Sequence, residues 1–148
     1  MPNIQSFDRS MIEEYLRRKG FPFFQDDEGD YVLQFAHNED WGCTVAALLG
    51  IKGPNDNIYS IRLISDRRIP LADWQKVIVL CNRWNDETLW PKAVLSLRNT
   101  SEMNTGISLE AYLILDMGIH QELFEDYTDK IMGAGLSFWE WLHKDQGY

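Results

Sequence analysis

A chain of 148 residues with 45% apolar and 13% aromatic side chains suits one folded domain and excludes intrinsic disorder. Its 23 acidic and 14 basic residues give a net charge of −9, which sets most of the surface against phosphate backbones and anionic lipid, so neither nucleic acid nor membrane is an expected partner. No apolar run approaches the ~20 residues of a membrane span, and Met1 to Gln5 lacks the charged and apolar regions of a signal peptide, so a cytoplasmic location is expected.

Ser6 to Lys19 reads as the first helix, because Met11, Ile12, Tyr15 and Leu16 form one stripe at helical period. Glu13 with Arg17 and Glu14 with Arg18 pair four residues apart on the opposite side. Ser10 and Glu13 match a capping box, Ser6 or Asp8 would start the helix earlier, and Gly20 supplies a stop. Phe21 to Gln25, with Pro22, reads as an edge strand. Asp26-Asp27-Glu28-Gly29-Asp30 then makes a turn, and Tyr31, Leu33 and Phe35 alternate on the return strand.

Trp41 to Ile51 alternates as a further strand whose other face is also largely apolar. Gly53 to Asn57 breaks the chain, and Tyr59, Ile61 and Leu63 alternate with Ser60 and Arg62 beyond it. Pro70 precedes a second helix with Trp74, Val77, Ile78, Cys81 and Trp84 on its stripe. Ala93, Leu95 and Leu97 mark a strand, Asn99 to Gly106 a polar connection, and Ile107 to Leu115 the next strand. A last helix runs from about Ile119 to Leu142, with Leu123, Tyr127, Ile131, Ala134, Phe138 and Leu142 expected inside. The order α-β-β-β-β-α-β-β-α, rich in hairpins, predicts an α+β domain over residues 1–148 with an antiparallel sheet packed against helices.

Met11 to Gly20, Ser65-Asp66-Arg67-Arg68-Ile69-Pro70 with Trp74, Cys81-Asn82-Arg83-Trp84-Asn85, His120 to Asp126 and Phe138 to Leu142 together resemble the YbjN-like bacterial proteins, often labelled sensory transduction regulators. That resemblance implies a fold similar to the type III secretion chaperones, frequently homodimeric, and carries no catalytic motif.

Candidate chemistry is sparse. The acidic run at Asp26 to Asp30 lacks the ligand alternation and flanking helices of a calcium loop and reads as a solvated turn. His37, His120 and His143 have no histidine or cysteine three or four residues away, so no metal or other cofactor is expected. Cys43 and Cys81, in apolar stretches, read as reduced core thiols. Without a nucleophile placed beside a base, or a phosphate loop, an enzyme is not expected.

Arg67 and Arg68 suit bidentate capture of a partner's carboxylate, set against pairing with Asp66, Asp73 or the last helix. Met132, Leu136 and Trp139 form a second apolar ridge on that helix, outside its core stripe, and are expected at a subunit or partner contact. Small residues Gly133, Ala134 and Gly135 would let a neighbouring element approach. The sequence thus predicts a non-enzymatic regulatory module, a homodimer binding a protein or peptide, and the resemblance implies that it is chaperone-like. The alternative is a small-molecule sensor with an apolar pocket between helices and sheet.

Overall fold

The computed structural model describes residues 3–97 and 104–148. Helix α1 (Arg9–Lys19) is followed by strands β1 (Phe24–Gln25), β2 (Tyr31–Gln34), β3 (Val45–Lys52), β4 (Ile58–Ser65) and the short β5 (Ile69–Pro70). Helix α2 (Trp74–Glu87), strands β6 (Lys92–Leu95), β7 (Asn104–Thr105) and β8 (Ile107–Ile114), and helix α3 (Gln121–Glu140) complete the order. Six strands form one antiparallel sheet in the order β1-β2-β3-β4-β8-β6, and β5 pairs with β7 in a separate two-stranded ladder. This is the expected α+β class, with β5 and β7 as additions. The polar connection expected at Asn99 to Gly106 falls outside the described residues up to 103, and its end forms β7.

Local signals set the boundaries. Asp8, one of the three starts left open, caps α1 by accepting from the Ser10 amide at 2.9 Å, and Gly20 at φ 69° ends it in the left-handed region. The third strand starts at Val45 rather than Trp41, because Asn38 to Cys43 closes a turn in which the Trp41 amide bonds Asn38 Oδ1.

Strand alternation divides the sheet into two faces. Ala47, Leu49, Ile61, Leu63, Leu109 and Ala93 are buried beneath the helices. The alternate set, including Ala46, Leu48, Arg62, Ile64, Glu110 and Val94, is half-buried and faces away. The helix side is filled by Tyr15, Tyr59, Phe124, Phe138 and Trp139, all at most 1% exposed. Each such ring contributes roughly 2–3 kcal/mol through burial. The two tyrosine hydroxyls among them are bonded: Tyr15 Oη donates to Asp129 Oδ1 at 2.7 Å, and Tyr59 Oη lies 2.8 Å from Thr128 Oγ1, which donates to the Phe124 carbonyl.

Helix α3 is rotated from its expected phase. Its buried residues include Phe124, Thr128, Ile131, Met132, Gly135, Phe138 and Trp139, whereas Leu123 is 48% exposed. The helix lies against β4 and also meets α1 and α2, as in the Tyr15 hydroxyl to Asp129 bond and the Trp84–Phe138 ring contact at 5.2 Å. An element covered on several sides needs an apolar arc wider than one stripe. A Cβ on Gly135 would sit 2.8 Å from Leu63 Cδ2, so the close approach expected of the small residues occurs there, while Gly133 faces open space.

Candidate functional site

The predicted ridge is not on the surface. Met132 is 6% and Trp139 1% exposed, both within the core, and Leu136 is half-buried against it. Trp139 stands perpendicular to Phe138, with ring centroids 5.3 Å apart. The expectation of an exposed ridge is therefore corrected: the wide buried arc of α3 takes in both apolar rows.

Arg67 and Arg68 part company. The Arg67 guanidinium donates to the main-chain oxygens of Trp41 (3.2 Å) and Tyr148 (2.7 Å) and meets His143 Nδ1 at 2.7 Å. It also lies 4.9 Å from the Tyr148 ring centre, and Tyr148 in turn donates to Asp73 Oδ2 at 2.9 Å. Arg67 thus latches the 141–148 segment to the β4–β5 link, which corrects its expected role as a hand for a partner's carboxylate. Its partners are main-chain oxygens and a histidine rather than the acids considered from sequence. Burial, with Arg67 beside it, pushes the His143 pKa down to about 4, so its Nδ1 is an acceptor at neutral pH.

The other family-like segments also serve the fold. Asp66 Oδ1 accepts from the Thr44 amide, and Trp74 Nε1 donates to the Ile69 carbonyl. Trp84 Nε1 donates to the Pro91 carbonyl. Asn85 Oδ1 accepts from the Ala93 amide at 2.8 Å while its Nδ2 donates to the Ala93 carbonyl at 3.0 Å. The Asn85 amide therefore stands where a further strand would pair, closing the outer edge of β6. At the opposite edge β1 is two residues long and follows Pro22. Both edges are blunted against strand addition.

What stays open is the outward face of the sheet. A groove of about 710 Å³ runs across β4, β8 and β6, with Arg62, Ile64, Ser108, Glu110 and Val94 on its lining. Arg68, which also lines it, stands near Gly106 at the β5–β7 end. The registers place Leu48, Arg62, Glu110 and Lys92 in one row and Ala46, Ile64, Ser108 and Val94 in the next.

Charges around the groove are arranged unevenly. Lys52, at one end, bonds both carboxylate oxygens of the buried Asp30 at 3.2 Å. Asp30 Oδ1 fills the space where a Cβ on residue 50 would stand, which requires Gly50. Glu110 accepts from the Tyr112 hydroxyl. Among the described residues Arg62 has no ion pair or hydrogen bond, although Glu110 is directly opposite on β8. By contrast, the basic end of α1 is neutralised, Arg18 by Glu125 at 3.4 Å and Lys19 by Asp129 at 2.7 Å.

Other candidates resolve structurally. Asp26 Oδ1 accepts from the amides of Glu28 and Asp30, making the acidic run a hairpin turn. Cys43 and Cys81 are buried free thiols, and burial raises the Cys81 pKa to about 12. Among the described residues no group of three or more His, Cys, Asp or Glu is placed to hold a metal, and no helix is long and apolar enough to cross a membrane.

A two-layer antiparallel α+β sandwich, with one sheet face left uncovered by helices among the described residues, is the class this geometry defines. Residues 8–144 match the YbjN family, described as "Putative bacterial sensory transduction regulator", and the chain belongs to that family. Its fold is similar to the crystal structure of YbjN from E. coli, described there as a "putative transcription regulator". The TM-score is 0.67 at 16% identity, covering 87% of this chain and 86% of that one. No curated protein matches the sequence.

Proposed function

We propose that the chain is a non-enzymatic regulatory module that binds a protein or peptide partner on the bare face of its sheet. The observation that carries this reading is the contrast between faces. Helices cover most of one side, while half-buried Ile64 and Val94 line a groove on the other, with half-buried Leu48 on the same face. Apolar side chains grouped on one face of a strongly acidic protein favour a covered surface. The blunted edges leave the face, rather than strand addition, as the route for a partner. Membership of a family described as regulatory agrees with a role exercised through binding.

The reading is tested by quantitative affinity capture with three baits: the native chain, Ile64→Lys on the open face, and Ile78→Lys on the exposed side of α2. A polypeptide recovered by the native chain and Ile78→Lys but lost by Ile64→Lys, with all three folded by circular dichroism, supports it. Equal recovery by all three overturns it. A homodimer through this face would show the same sensitivity to Ile64→Lys in sedimentation.

A further inference from the structure

Resting on the reading of the open face as a partner site, we infer that its occupant is a second copy of this chain. The two copies sit face to face about a two-fold axis that runs along the strands, between β4 and β8. Such an axis lays β4 over the partner's β8 and β3 over the partner's β6, because β3 and β6 flank the central pair. A two-fold contact must be self-complementary, so each row of the face has to fit its own reversal. The four rows of this face do so.

In one row Leu48, Arg62, Glu110 and Lys92 stand side by side on β3, β4, β8 and β6. Reversal sets Arg62 over the partner's Glu110 and Glu110 over the partner's Arg62, giving two opposite-charge pairs beside the axis. Packed sheets stand about 10 Å apart, a gap that a facing arginine and glutamate bridge. Within one chain, among the described residues, Arg62 and Glu110 form no ion pair, and Glu110 accepts from Tyr112. Leu48 falls against the methylene stem of the partner's Lys92. A two-fold running across the strands at this row would instead set Arg62 against the partner's Arg62.

The other rows are complementary in size. Ala46, Ile64, Ser108 and Val94 reverse so that Ile64 covers the partner's Ser108 and Val94 the partner's Ala46. Ser108, 7% exposed between Ile64 and Val94, is the floor of a dip that a branched side chain caps. In the row of Gly50, Ser60 and Tyr112, the half-exposed Tyr112 lies over the partner's Ser60. In the row of Lys52, Ile58 and Ile114, Ile114 is 72% exposed in the single chain and meets the partner's Ile58.

Area and charge agree with this occupant. Strands β3, β4 and β8 have eight residues each and β6 has four. At about 3.3 Å along and 4.8 Å across, they offer on the order of 450 Å² of flat face per copy. Side-chain relief raises the area buried by two copies above about 1,000 Å², the level a specific interface clears. Two chains of charge −9 repel over most of their surfaces, but among the described residues Glu110 is the one acid lining the groove.

The test is sedimentation velocity on the full chain across a concentration series. The native chain should dimerise. Arg62→Glu sets like charges in both pairs, as does Glu110→Arg, and each should weaken dimerisation by roughly 100-fold or more. Mixing these two variants restores opposite charges in both pairs, so a 1:1 heterodimer should form although neither variant dimerises alone. Arg62→Met and Glu110→Gln, which keep the side-chain bulk, should each weaken the dimer by roughly 10-fold, with amide shifts by NMR showing the sheet intact.

A native chain that stays monomeric overturns the inference, and affinity capture with the Ile64→Lys bait then decides separately whether the open face binds another polypeptide. A dimer indifferent to both charge reversals overturns it by placing the contact elsewhere. Loss in both variants without recovery in their mixture overturns it as well, since the two-fold pairing requires that recovery.

Discussion

Substituting alanine for Gly135 and, separately, for Gly133 tests the packing of α3 on the sheet. The two positions share a helix and gain alike in helix propensity, about 1 kcal/mol each. They differ in surroundings. A Cβ at 133 meets nothing within 4 Å, while one at 135 meets Leu63 Cδ2 at 2.8 Å, Cδ1 at 3.1 Å and Cγ at 3.4 Å. Leu63 is completely buried on the central β4, so its side chain must leave its rotamer or α3 must lift away. Such overpacking costs about 1–3 kcal/mol.

Gly133→Ala should therefore stabilise by about 1 kcal/mol, and Gly135→Ala should fall below it by about 1–3 kcal/mol. In a domain of this size each kcal/mol moves Tm by roughly 2–4 °C. Urea denaturation followed by circular dichroism measures both, and a Leu63→Val background should shrink the gap by removing the clashing methyls. Equal stabilisation by the two alanines would refute the close contact between α3 and β4.

Trp139→Glu places an unpaired charge in the core and should cost at least about 4 kcal/mol, read as a collapse of the urea midpoint; a folded variant of native stability would return Trp139 to the surface. Asn85→Ala should lose about 1–3 kcal/mol by uncoupling α2 from Ala93, and exposure of the β6 edge should raise light scattering. His143 is neutral when folded until pH falls to about 4, whereas the unfolded imidazole takes a proton below about 6.5. Its contribution is thus complete above 6.5 and is lost as pH falls toward 4, by at most about 3 kcal/mol. Denaturation at pH 7 and 4.5 should show His143→Gln losing less stability than the native chain, and an NMR titration midpoint near 6.5 would contradict this. A thiol reagent should label Cys81 slowly until the chain is denatured, because burial raises its pKa to about 12.

Periodicity carried the fold as far as local signals reach. The stripes of α1 and α2, the turn at Asp26 to Asp30 and the alternation of β4 are all legible, because each follows from neighbours in sequence. In α2 the stripe still missed that Ile78 is 43% exposed and Leu80 buried. The phase of α3 was not legible: two apolar rows share that helix, and only its contacts with α1, α2 and β4 show that both are buried. The partners of Arg67 were not legible among the acids weighed for it, because they are main-chain oxygens of Trp41 and Tyr148, distant in the chain. Arg62 looked like an ordinary polar alternate of a strand. The available signal was the apolar second face of the neighbouring strand, where Ala46 and Leu48 alternate with the core residues; a strand apolar on both sides has something to meet on each.

Site-specific photo-crosslinking in living cells tests the central claim most directly, with a benzophenone side chain placed in turn at Leu48, Val94 and Ile78. The account predicts one discrete polypeptide adduct at Leu48 and Val94, on the open face, and none at Ile78 on α2. Adducts at Ile78 with none on the open face would contradict it.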